Sequence, residues 1–137
     1  MRAGKLVGAP NKGEEIKMGK KILIIEDHPD ARRVFSLILC SAGHETWEAE
    51  NAHEGMKKTL SEPPDLILMD VSLPDERGFD LARRIKDNPA TTKIPIVACS
   101  GWTQSEVKVE AQEVGIVEFL IKPFAATELI EAVGRHA

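Results

Sequence analysis

A doubly wound α/β domain built on a five-stranded parallel sheet is what this chain predicts, and three observations lead there. Short apolar runs alternate with amphipathic segments of helical period from residue 21 to the end. Four of the runs are almost wholly apolar, as strands buried on both faces are. The same four run out into polar residues, Glu26-Asp27, Asp70, Ser100 and Lys122, and open α/β sheets bind their ligands at the carboxyl edge of the strands.

The first strand is expected at Lys21–Ile25. Pro29–Ala42 then reads as a helix, with Val34, Ile38 and Ala42 at helical spacing and Gly43 as its stop. Glu45–Ala49 is more polar, which suits a strand at a sheet edge. Asn51 is placed to cap a helix running to about Leu60, with Ala52, Met56 and Leu60 on one face. Pro63-Pro64 breaks the chain before the third strand, Asp65–Met69. A loop through Pro74 and Gly78 leads to a helix from Phe79 to about Lys86, whose core side is Leu81, Ala82 and Ile85. The fourth strand is Ile96–Cys99. A helix from Gln104 to Val114 uses Val107, Ala111 and Val114, and Gly115 ends it. Val117–Ile121 is the fifth strand, and Ala126–Arg135 the last helix, with Leu129, Ile130 and Val133 inward.

Composition narrows the function. Apolar residues make up 42% and charged residues 29% of 137, ordinary for one soluble domain with its own core. No apolar run approaches the roughly 20 residues of a membrane span, and no secretory core precedes the first strand, so neither membrane insertion nor export is expected and a cytoplasmic location is. Residues 1–19 are rich in Gly and Lys and lack periodicity; they read as a disordered leader or linker, with the domain at 20–137. Residues 1–21 carry a net charge of +4 and the remainder −8. Direct DNA binding is not expected of so acidic a body, because phosphate backbones demand a basic surface. Cys40 and Cys99 are expected to be buried reduced thiols, and no Cys or His cluster has zinc-ligand spacing. His28, beside the acidic pair, reads as a solvated loop residue.

The strand ends hold the chemistry. Asp70, leaving a buried strand, could accept a phosphoryl group as an acyl phosphate. A lone loop aspartate could equally cap a turn. Glu26 and Asp27 would complete an anionic pocket, and crowded carboxylates are relieved by a small hard cation such as Mg²⁺. Asp27 and Asp70 are the direct ligand candidates, Glu26 acts through water, and a backbone carbonyl near Ser72 completes the set. The Ser100 hydroxyl could meet a phosphoryl oxygen, and the Lys122 ammonium could pair with Asp70 before the reaction and with phosphoryl oxygens after it. A cis bond before Pro123 would suit that placement.

Together these features resemble the receiver domain of two-component response regulators. The resemblance runs from residue 21 to residue 137. It rests on Ile24-Ile25-Glu26-Asp27, Leu68-Met69-Asp70-Val71-Ser72-Leu73-Pro74 with Gly78, Ser100, and Phe119-Leu120-Ile121-Lys122-Pro123-Phe124. It implies a flavodoxin-like fold with strand order 2-1-3-4-5. It implies Asp70 as phosphoacceptor, Glu26 and Asp27 as the acidic Mg²⁺ pair, with Mn²⁺ as a substitute ion, and Lys122 as the family's lysine.

The implied donor is a phosphohistidine on a histidine kinase or phosphotransfer protein, and the implied output is a contact with a downstream protein. The receiver catalyses only its own phosphoryl transfer and dephosphorylation. Ser100 and Phe119 would form the switch, read out on the face made by the fourth helix, fifth strand and fifth helix. Some receivers pair through that face, which leaves a homodimer open. Phe119 lacks a tyrosine hydroxyl, and core packing is its other reading. Gly101 stands where alanine is usual, and Trp102 beside it could control access to the crevice or belong to a partner surface.

Three other readings are weaker. A degenerate receiver that binds partners without phosphorylation would not need Asp70, Asp27 and Lys122 intact. An aspartate-nucleophile phosphatase would need a cap for its substrate and an acid two residues after Asp70, where Ser72 stands. A flavodoxin would need a phosphate-cradling loop where Glu26-Asp27-His28-Pro29-Asp30 would repel phosphate.

Overall fold

The computed structural model describes residues 19–101 and 105–137. The expected leader, apart from Gly19, and Trp102 and Gln104 lie outside the described residues. Five strands and five helices alternate: β1 (Lys21–Ile25), α1 (Pro29–Ser41), β2 (Glu45–Ala49), α2 (Ala52–Ser61), β3 (Leu66–Asp70), α3 (Gly78–Asp87), β4 (Ile96–Ser100), α4 (Ser105–Glu113), β5 (Glu118–Ile121) and α5 (Ala126–His136). All pairings are parallel, in the order β2-β1-β3-β4-β5. The fold class and strand order are those the sequence predicts. β3 and β4 each end one residue later than expected, so Asp70 and Ser100 are the last residues of their strands.

The pleat sorts the apolar runs between two cores. Leu23, Ile25, Ile67, Met69, Ile96 and Ala98 point to one face, under α2, α3 and α4. Ile22, Ile24, Leu66, Leu68, Val97 and Cys99 point to the other, where Phe35, Leu39, Leu129 and Val133 of α1 and α5 cover them. Burial on both faces is why these strands read as continuous apolar runs.

Two helices are rotated from their expected stripes. In α1 the buried residues are Phe35, Ser36 and Leu39, with Ile38 at the margin, while Val34 is half exposed. The larger ring and its partner one turn on occupy the core and turn the helix about its axis. In α2 the buried residues are Ala52, Gly55 and Thr59, and Leu60 is half exposed. Small residues win there because the helix lies close on the sheet: a Cβ on Gly55 would stand 2.6 Å from Ile25 Cδ1. The Thr59 hydroxyl is satisfied within the helix, donating to the Gly55 carbonyl at 2.7 Å.

Asn51 caps α2 as expected, accepting the Glu54 N–H at 2.7 Å. A second cap comes from the loop after β3. The Asp75 carboxylate accepts the N–H groups of Ala52 and His53, each at 2.9 Å, so that loop is fastened to the first turn of α2. Between α3 and α4, Glu110 accepts hydrogen bonds from Arg77 at 2.6 Å and Arg83 at 2.9 Å. Cys99 is buried, and burial pushes its thiol far up from its ordinary value. Cys40 departs from expectation: it is exposed, with its Sγ 3.4 Å from the Thr46 hydroxyl of β2. No described helix is long and apolar enough to cross a membrane.

α3 begins pressed against the end of β3. The Gly78 N–H donates to the Val71 carbonyl at 2.8 Å. A Cβ on Gly78 would stand 2.6 Å from both the Asp70 carbonyl oxygen and Val71 Cα, and both are backbone atoms that cannot swing aside. Gly78→Ala is therefore expected to destabilise the domain by about 1–3 kcal/mol, the usual cost of overpacking a tight site. A denaturant titration checks this. An unchanged midpoint would mean that the backbone yields without cost.

Candidate functional site

Parallel pairing carries the polar ends of four strands to one edge. β1 gives way to Glu26, whose N–H continues the ladder to the Ala49 carbonyl at 3.0 Å. Its side chain is 2% exposed, a burial glutamates tolerate only with partners. Those partners are present. Lys122 Nζ donates to Glu26 Oε1 at 2.7 Å, and the His28 N–H donates to Glu26 Oε2 at 3.2 Å. Asp27 is exposed at the mouth. Asp70 is held from two sides, Oδ2 by Lys122 Nζ at 2.9 Å and Oδ1 by the Ser72 N–H at 2.9 Å.

One oxygen from each of Glu26, Asp27 and Asp70 lies within 4.8 Å of the other two. Three carboxylates against one ammonium leave the cluster with excess negative charge, and all its metal donors are oxygen. That set fits a small hard divalent cation.

Electrostatics follow the geometry. Burial drives the Glu26 carboxyl up from its ordinary value and the Asp70 charge pushes the same way, while the hydrogen bond from Lys122 opposes both. For Lys122, burial works to lower the ammonium's pKa, but the hydrogen bonds to Glu26 and Asp70 outweigh it and raise it. Lys122 is thus firmly charged. Phe35 stands beside it, ring centroid 5.7 Å from Nζ, and stacks on Phe124 at 5.3 Å. The Lys122–Pro123 peptide is cis.

The structure brings Glu26, Asp27, Asp70 and Lys122 together as the sequence suggests, and places Ser100, 1% exposed, at the end of the adjoining strand. The Ser100 carbonyl accepts the Lys122 N–H at 2.8 Å, tying the two strand ends together. Ser72 is two residues beyond Asp70 on the exposed loop. Phe119 pairs in register with Ala98 and packs half-buried against the core beneath α2, α3 and α4. His28 is exposed, at the N-cap of α1.

Three contacts escaped the sequence reading. Lys122 reaches Glu26 as well as Asp70. Arg32 donates from Nη1 to the Glu26 carbonyl at 2.8 Å. Asp75 caps α2 from across the site. An Asp after Pro74 is itself a turn-and-cap signal, whereas nothing in the local pattern distinguishes Arg32 from Arg33.

Residues 22–134 match the family described as the response regulator receiver domain. The chain belongs to that family, the receiver domains of two-component response regulators, a class of regulatory signalling modules. Among its relatives, the phosphate regulon regulatory protein PhoB of Pseudomonas aeruginosa is 37% identical over 113 residues, 82% of this chain and 49% of PhoB. The chain therefore spans about half the length of that relative. The chemotaxis protein CheY of Thermotoga maritima is 32% identical over 119 residues, covering 86% of this chain and 98% of CheY. The solved structure of Vibrio cholerae CheY4 superposes with a TM-score of 0.82 at 28% identity, covering 88% of this chain and 100% of that one.

Removing the Lys122 charge tests the electrostatics. In chelator-treated protein, Lys122→Met is expected to cost about 1–3 kcal/mol at neutral pH, because it leaves the Glu26 carboxylate buried and unpaired. Lys122 is itself partly exposed, which keeps the loss below that of a fully buried pair. Without the ammonium the folded Glu26 pKa rises further above its unfolded value. The folded state then holds the extra proton, so the variant's deficit grows as pH rises through that window and shrinks as pH falls. Thermal unfolding from pH 4.5 to 8 measures it, and a deficit independent of pH would contradict the argument.

Proposed function

We propose that this chain accepts a phosphoryl group from a phosphohistidine donor onto Asp70 and presents the change to a protein partner. The observation that supports this best is the state of Asp70: a carboxylate at a strand end, held between an ammonium and a backbone N–H, with two further carboxylates within 4.8 Å. The nucleophile is oriented before any donor arrives.

In the transfer, an Asp70 oxygen attacks phosphorus, the P–N bond of the phosphohistidine breaks, and the imidazole leaves with the electron pair. Charge on the phosphoryl oxygens is met by Lys122, whose ammonium is already at the reacting carboxylate. The Ser100 hydroxyl, at the end of the neighbouring strand, is the proposed second contact. Asp27 and Asp70 would hold a Mg²⁺ directly, with Glu26 acting through water and the Ser72 carbonyl completing the set; the ion would supply charge neutralisation during transfer, and Mn²⁺ would substitute.

Output follows from the same contacts. When Lys122 and Ser100 turn to the phosphoryl group, the ends of β4 and β5 rearrange, and Phe119 and the α4–β5–α5 face carry the change. The partners are a histidine kinase or histidine phosphotransfer protein as donor and a downstream protein as target. By this reading the chain is a regulatory phosphoacceptor.

Incubation with acetyl phosphate and Mg²⁺, followed by intact-protein mass measurement, tests the reading. One added phosphoryl group is expected in the wild type. Asp70→Asn should gain none, and omission of Mg²⁺ should cut the gain to background. A wild type that is not phosphorylated and binds no Mg²⁺ would favour a receiver that works by protein contact alone.

A further inference from the structure

We infer that Arg32 is a positioning residue for the cation site: it sets the direction of the Asp27 carboxylate by gripping the peptide between Glu26 and Asp27. This rests on the reading of the acidic cluster as a Mg²⁺ site.

β1 leaves the sheet at Glu26. Its N–H still pairs with Ala49, but the chain then turns toward α1, and the Glu26 carbonyl is taken by Arg32 Nη1 at 2.8 Å. A peptide unit is planar, so holding that carbonyl also fixes the Asp27 nitrogen and the bearing of its Cα. The turn is closed on its other side by the His28 N–H on Glu26 Oε2. Asp27, exposed between these two ties, is aimed by the backbone that carries it.

The arginine is well suited to this. Its side chain is only 16% exposed, and Nε donates to Glu48 Oε1 at 3.1 Å. Glu48 on β2 thus fixes one edge of the guanidinium plane while Nη1 reaches the carbonyl. A rigid fork held at one tine presents the other at a set angle, which an ammonium on a flexible stem cannot do. The order of dependence runs from Glu48 on the edge strand, through Arg32 one turn into α1, to the peptide before Asp27. None of these atoms is among the clustered carboxylate oxygens, so their effect passes through orientation. Losing an outer partner of this kind typically weakens metal binding tenfold to a hundredfold.

The experiment is Mg²⁺ titration by calorimetry on the full chain, paired with phosphoryl uptake from acetyl phosphate as a function of Mg²⁺ concentration. Arg32→Ala is expected to raise the Mg²⁺ dissociation constant about tenfold. At saturating Mg²⁺ it should be phosphorylated within twofold of the wild-type rate, because Asp70 and Lys122 are untouched. Arg32→Lys should recover only part of the affinity, Glu48→Ala should fall between wild type and Arg32→Ala, and Arg33→Ala on the exposed side should match wild type. If Arg32→Ala unfolds, Glu48→Ala and Arg32→Lys carry the same comparison. Wild-type affinity in folded Arg32→Ala, or a rate that saturating Mg²⁺ fails to restore, overturns the inference alone. A wild type that binds no Mg²⁺ overturns the reading of the site and the inference with it.

Discussion

Everything at the sheet's carboxyl edge depends on one ammonium shared by two carboxylates. Lys122, just after β5, reaches past the end of β4 to bond Asp70 at the end of β3 and Glu26 after β1. Burying Glu26 without that charge would be costly, and bringing Asp70 beside it would raise the cost. The lysine makes this concentration of negative charge compatible with a folded protein. It does so incompletely, since one positive charge faces three negative ones. The cluster is left net negative, and the atoms that face one another in it are all carboxylate oxygens.

Much of this was legible in the residues because parallel α/β architecture turns position in a strand into position in space. An apolar run that ends in Asp70 or Lys122 delivers that residue to the same edge as every other run. β1, β3 and β4 were read to within a residue because burial on both faces leaves an unmistakable composition, whereas β5, at the sheet edge, leaves Ile121 exposed. The α1 and α2 stripes were harder. Apolar periodicity chose Val34 and Leu60, yet Phe35 with Leu39 and the small pair Gly55 and Thr59 lie against the sheet. Counting apolar residues says nothing about which helix face must be thin, and close approach to Ile25 decided that in α2.

The site was half visible for a related reason. Parallel strands bring their ends to one edge, so the gathering of Asp27, Asp70 and Lys122 could be read directly. Contacts to backbone atoms carry no such mark. Arg32 works on a carbonyl and Asp75 on two N–H groups, and any residue at those positions would have presented the same backbone. The reach of Lys122 to Glu26 is likewise a matter of side-chain length and bearing, which strand order alone does not specify.

The contact at Gly78 has a mechanical consequence. The start of α3 rests directly on the Asp70–Val71 backbone with no side chain between them to cushion it. A displacement of that peptide toward α3 would meet the helix backbone directly. At the near end of α3 stand Arg77 and, farther along, Arg83, both joined to Glu110 on α4 through partly exposed ion pairs. Such pairs are individually weak and screened by salt. The path of contacts from Asp70 to α4 thus begins in tight backbone packing and ends in ion pairs whose strength depends on ionic strength.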